Sequence, residues 1–120
     1  MKILLTGTTG YIGKRLIPFL LEMNHTLICC VRDKQRVPEI AKNNKNISLI
    51  EVDFLDKNSL DIIPSDIDVA YYLIHSMSSS SSNFESLEEQ CAVNFKTRLV
   101  KTNIKQVIYL SGIVNDNQFV

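Results

Sequence analysis

The residues best suited to chemistry stand near the front of the chain, in the run Thr6-Gly7-Thr8-Thr9-Gly10-Tyr11-Ile12-Gly13. Spacing gives each of the three glycines a separate physical task. Gly7 permits a tight turn, Gly10 lets backbone approach a pyrophosphate, and Gly13 lets a helix pack closely on the preceding strand. A helix that opens at such a turn offers unpaired N–H groups and a partial positive charge to phosphate oxygens. The hydroxyls of Thr6, Thr8 and Thr9 add donors for the same oxygens. Three glycines in seven residues also occur in ordinary turns, so the neighbouring elements must decide.

They favour a nucleotide turn. Ile3-Leu4-Leu5 is a continuous apolar run, the pattern of a parallel strand covered on both faces. Behind the glycines, Ile12, Leu16, Phe19, Leu20 and Met23 fall at helical spacing; Pro18 interrupts the run, and Asn24 suits its C-terminal cap. Thr26–Val31 is a second strand, which completes a strand–helix–strand crossover unit.

The residue just past that second strand decides which dinucleotide fits. An acid there bonds the 2′-hydroxyl of NAD, whereas an arginine accommodates the 2′-phosphate of NADP. Here Arg32 follows Val31 and Arg36 stands four residues on, which favours NADP over NAD, although Asp33 offers the acid. A solvated charged turn is the plain alternative for these residues.

Pro38–Lys42 reads as a short helix and Ile47–Val52 as a third, alternating edge strand. Asp53 beyond it either accepts from an adenine amino group, with Phe54 flanking the ring, or serves as a cap. Asp56 caps a short helix over Lys57–Ile62. Val69–Ile74 is a fourth strand, running into His75 and the serine run Ser78 to Ser82. A lone histidine in that place is more often a structural hydrogen-bonder than an acid or base. Ser82 and Glu85 have capping-box spacing and open a long helix through Thr102. Val107–Leu110 is the fifth strand. The expected fold is a three-layer, doubly wound α/β sandwich with parallel strands in the order 3-2-1-4-5.

Totals set the outer limits. One domain of 120 residues buries roughly two-thirds of its unfolded surface. A formal net charge of zero leaves no broad footprint for nucleic acid or an anionic membrane. No apolar run reaches a membrane span, and the chain opens on a strand rather than a signal peptide. Three cysteines, two of them adjacent at Cys29 and Cys30, suit a reducing cytoplasmic setting. Adjacent strand positions point to opposite faces, so no metal site is expected.

Taken together, these segments resemble the extended and atypical branches of the short-chain dehydrogenase/reductase superfamily. The residues that carry the resemblance are Thr6–Gly13, Val52–Asp56 (V-D-F-L-D) and Val93–Thr97 (V-N-F-K-T). Tyr71–Met77 and Ile108–Gly112 look most like the NmrA-like or YbjT-like NAD(P)-binding proteins. The resemblance implies that Gly7, Thr9, Gly10, Tyr11, Ile12 and Gly13 wrap the pyrophosphate. It places Arg32 on the 2′-phosphate and Asp53 and Phe54 at the adenine. Leu73, Ile74 and His75 would border the ribose and nicotinamide, and Asn94 would support the site from its helix.

Catalytic relatives place a serine after the fifth strand and a Tyr-x-x-x-Lys pair on the next helix. Gly112 stands at the serine position, with Ser111 one place early, and no Tyr-x-x-x-Lys occurs in the sequence. The catalytic residues therefore remain unknown. Relatives also continue into further strands and a substrate-binding portion. The resemblance thus implies that residues 1–120 are the NAD(P)-binding part of a longer oxidoreductase or epimerase-like protein, acting on an unknown small molecule. The alternatives are an NmrA-like sensor that binds NADP(H) without turnover and a scaffold that binds no nucleotide. In the expected fold the fifth strand keeps an unpaired outer edge, which suits a homodimer or aggregation.

Overall fold

A computed structural model describes residues 1–7, 11–37, 39–42, 44–73 and 82–109. Five strands, β1 (Lys2–Leu5), β2 (Thr26–Val31), β3 (Ile47–Glu51), β4 (Val69–Tyr72) and β5 (Gln106–Tyr109), form one sheet in the order β3-β2-β1-β4-β5. Every neighbouring pair is parallel. Leu5, the last residue of β1, lies opposite both Cys29 and Tyr71, so β2 runs two residues and β4 one residue past it at the carboxyl edge. Strand order reverses between β1 and β4, where ligands of open α/β sheets are bound.

The sheet separates two apolar layers. Ile3, Leu5, Leu27, Cys29 and Val31 pack with Ile17 and Leu20 of helix α1 (Tyr11–Glu22). Leu4, Ile28, Cys30, Ala70 and Tyr72 pack with Phe95 and Leu99 of helix α3 (Ser82–Leu99). Leu60 and Ile63, from the 3₁₀ helix Lys57–Ile62 and its end, complete that second layer. Consecutive residues of β1 and β2 serve opposite layers. That is why both strands are continuously hydrophobic.

The buried stripe of α1 departs from the sequence expectation. Gly13, Ile17 and Leu20 are buried, whereas Phe19 and Met23 are 61% and 56% exposed. Gly13 has no side chain, so the helix turns this face to the sheet, and Ile17 becomes the central contact. The helix runs through Pro18, which lies on its exposed side. Its end matches the expected cap: Asn24 has φ 65°, and the N–H groups of Asn24 and His25 donate to the carbonyls of Leu21 and Leu20.

Two further elements lie near the site. Lys34–Arg36 forms a 3₁₀ turn that the sequence did not announce, and α2 (Glu39–Lys42) is a single helical turn beside β3. The 3₁₀ helix Lys57–Ile62 has the expected bounds and cap, the Asp56 carboxylate accepting from the Asn58 N–H at 3.1 Å.

Candidate nucleotide-binding site

Gly7 leaves β1 at φ 69°, a left-handed conformation that side-chain-bearing residues rarely adopt. A Cβ there would lie 3.0 Å from Leu73 Cβ and 3.2 Å from the Leu73 carbonyl carbon and oxygen. The position therefore needs glycine twice over, for its torsion and for the close passage of the strand next door. Tyr11 and Ile12 form the first turn of α1, and Gly13 is buried against the sheet. A strand end, a left-handed glycine and a helix start at the order reversal are what a dinucleotide pyrophosphate requires. Thr8, Thr9 and Gly10 lie outside the described residues.

Thr6 does other work than expected. Its side chain is fully buried, its hydroxyl donates to the Tyr71 carbonyl at 3.1 Å, and its oxygen accepts from the Leu73 N–H at 3.0 Å. The hydroxyl expected on phosphate is instead consumed by the end of β4. Its effect is to hold Leu73 against Gly7. Ile74 and His75 lie outside the described residues, as do Ser111 and Gly112.

At the end of β2, Arg32 is exposed and makes no ion pair among the described residues. Asp33, the competing acid, caps the following 3₁₀ turn, its Oδ1 accepting from the Gln35 N–H at 2.9 Å. Arg36 closes that turn, while the Lys34 N–H donates to the Glu51 carboxylate at 3.1 Å.

The segment after β3 is tightly tied. Asp53 is exposed, and its Oδ1 accepts from the Leu55 N–H at 3.0 Å, so its carboxylate does act in the local turn. The Ser59 hydroxyl accepts from the Asp53 N–H at 2.9 Å and has the carbonyls of Asp53 and Asp56 at 2.8 and 2.9 Å. Phe54 corrects the expectation of an adenine-flanking ring. It is 8% exposed and packs edge-on against Tyr72 and Phe95, with ring centroids 6.4 and 5.7 Å away. Alternation along the chain turns this ring into the core, leaving Asp53 outside. Asn94 is buried at 4% exposure and donates from Nδ2 to the Phe54 carbonyl at 2.8 Å. Gln90 and Ser59 are participants that sequence reading missed; the four-residue spacing of Gln90 and Asn94 on one helix was the available signal.

The ends of β1, β2, β3 and β4 thus bring Gly7, Arg32, Asp53 and Leu73 to one edge of the sheet. Among the described residues, no group of three or more His, Cys, Asp or Glu is placed to hold a metal. No helix among them is long and apolar enough to cross a membrane.

Sheet order and glycine turn together define a doubly wound α/β domain of the Rossmann kind. The chain belongs to the NAD dependent epimerase/dehydratase family, whose profile matches residues 3–112. No curated protein sequence gives a significant match. Solved structures share the fold at low identity. The yeast methylglyoxal/isovaleraldehyde reductase complexed with NADPH superposes with a TM-score of 0.79 at 14% identity, over 91% of this chain and 36% of its own. A nucleoside-diphosphate-sugar epimerase from Staphylococcus aureus gives 0.72 at 19% identity, over 91% and 37%. A short-chain dehydrogenase/reductase from Veillonella parvula gives 0.71 at 20%, over 90% and 45%. The chain therefore spans less than half the length of each of these proteins.

Proposed function

We propose that residues 1–120 form the NADP(H)-binding domain of an oxidoreductase or epimerase-like protein. The observation that carries this reading is Gly7, left-handed and pressed against Leu73 at the point where strand order reverses. In this reading Gly7, Thr9, Gly10, Tyr11, Ile12 and Gly13 enclose the pyrophosphate. Arg32, assisted by Arg36, takes the 2′-phosphate. Asp53 faces the adenine, Asn94 supports that turn through the Phe54 carbonyl, and Leu73, Ile74 and His75 border the nicotinamide end.

Support for NADP over NAD comes from the division of labour after β2. The Asp33 carboxylate is engaged by its own turn, and Arg32 is left to solvent. The family's description supports a nicotinamide dinucleotide, and NADPH in the yeast reductase is in keeping with the phosphate-bearing form. Fluorescence titration with NADPH and NADH tests the reading. Arg32→Ala should weaken NADPH about ten- to a hundredfold, the worth of a charge-assisted phosphate contact, and leave NADH nearly unchanged. Equal losses would remove Arg32 from the 2′-phosphate, and no binding of either nucleotide would end the proposal.

The alternative reading is a non-catalytic NADP(H) sensor of the NmrA-like type, which would use the same glycine turn. It predicts the same binding without NADPH consumption across a panel of aldehydes and ketones. Self-association through β5 is part of the proposal.

A further inference from the structure

We propose that Gln90 is a positioning residue for the adenosine end of the nucleotide, acting through the Asn94 amide; this rests on the NADP(H)-binding reading above. A carbonyl oxygen can only accept, so the atom of Asn94 that meets the Phe54 carbonyl at 2.8 Å must be its nitrogen. That fixes the rest of the amide. Asn94 Oδ1 is left inside the protein in need of a donor, and Gln90 Nε2 supplies one at 3.0 Å from one turn earlier on α3.

The two amides form a polarised chain, Gln90 to Asn94 to Phe54, with each step holding the next. Were the Asn94 amide reversed, its oxygen would face the Phe54 carbonyl and its nitrogen the Gln90 donor. The Phe54 carbonyl sets the orientation, and Gln90 holds it by meeting Asn94 Oδ1 with a donor. α3 holds the segment after β3 at two points: Asn94 at its start, and Arg98 at its end, which donates to the carbonyls of Asp61 and Ile63. The first grip lies beside Asp53, the exposed acid assigned to the adenine. Gln90 itself is exposed and contributes nothing to the apolar core, so its effect on binding is separable from its effect on stability.

The test compares Gln90→Ala, Gln90→Glu and Gln90→Lys with the unaltered chain, using NADPH and the 2′,5′ isomer of adenosine bisphosphate as ligands. Gln90→Glu puts a carboxylate against Asn94 Oδ1 and should weaken both ligands by the same factor, about three- to tenfold, the range of one hydrogen bond. Gln90→Ala should weaken both about two- to threefold, since a small molecule of water can replace part of the lost bond. Gln90→Lys restores a donor and should recover most of the affinity. Thermal midpoints should stay within a few degrees for all three. Unchanged affinity in Gln90→Glu, or a loss in Gln90→Lys equal to that in Gln90→Glu, overturns the role of Gln90 while leaving nucleotide binding intact. Failure of the unaltered chain to bind NADPH overturns both.

Discussion

Gly7 shows how much a single position fixes. A methyl group there would meet strain in the backbone and the Leu73 strand at once. Gly7→Ala should cost about 2–3 kcal/mol, read as a lower urea midpoint at unchanged slope. An ordinary solvent-facing turn would lose less than about 0.5 kcal/mol. This position was legible in the sequence because glycine has few other reasons to follow an apolar strand. Thr6 and Phe54, its counterparts in the motifs, were not. A hydroxyl beside a phosphate turn and a hydroxyl buried between strands carry the same letter, and what separates them is that Leu73, sixty-seven residues later, presents its N–H at 3.0 Å. The bond from Asn94 to the Phe54 carbonyl spans forty residues, and local pattern has no access to it.

Elements were more readable than the contacts between them. Strand positions emerged from apolar runs, and the caps at Asn24 and Asp56 from residue chemistry, because both signals are local. The rotation of α1 was hidden, since Phe19 and Met23 keep helical spacing yet face solvent, while Gly13 carries no hydrophobic signal. β2 has a consequence of its own. Cys30 is buried, and desolvation first, with Cys29 beside it second, raises its pKa far above the ordinary 9.0. In the unfolded chain the same thiol ionises near its ordinary value. Stability from this group is therefore complete below pH 9.0 and lost as pH rises beyond it, at about 1.4 kcal/mol per pH unit. Urea midpoints should be level up to about pH 9 and fall between about pH 9 and 11 for the natural chain. Cys30→Ala should start lower because of the cavity and fall less. Parallel curves would show that other groups govern the alkaline limb.

The two edges of the described sheet differ. β3 is flanked by α2, and its Ser48 and Glu51 are exposed while Ile47, Leu49 and Ile50 pack into the two layers. β5 is the other edge of the described sheet, and Tyr109 and Val100 beside it are 57% and 72% exposed. A groove of about 340 Å³ lies there, lined by Leu99, Val100, Ile104, Val107 and Tyr109, with Lys96 at its rim. Among the described residues no strand pairs with the outer edge of β5, and such an edge next to exposed apolar side chains is a template for a further strand or a second copy. The chain should therefore self-associate as its concentration rises, with a sedimentation coefficient that climbs steadily. Tyr109→Lys places a charge on this edge and gives up a ring contact with Tyr72, whose centroid is 5.3 Å away. It should lower stability by about 1 kcal/mol and shift the association to concentrations about tenfold higher. A natural chain that remains monomeric throughout would mean that β5 is shielded by its own polypeptide. A Tyr109→Lys variant that associates as strongly as the natural chain would place the contact elsewhere, with the exposed Phe19 and Met23 of α1 the next surface to alter.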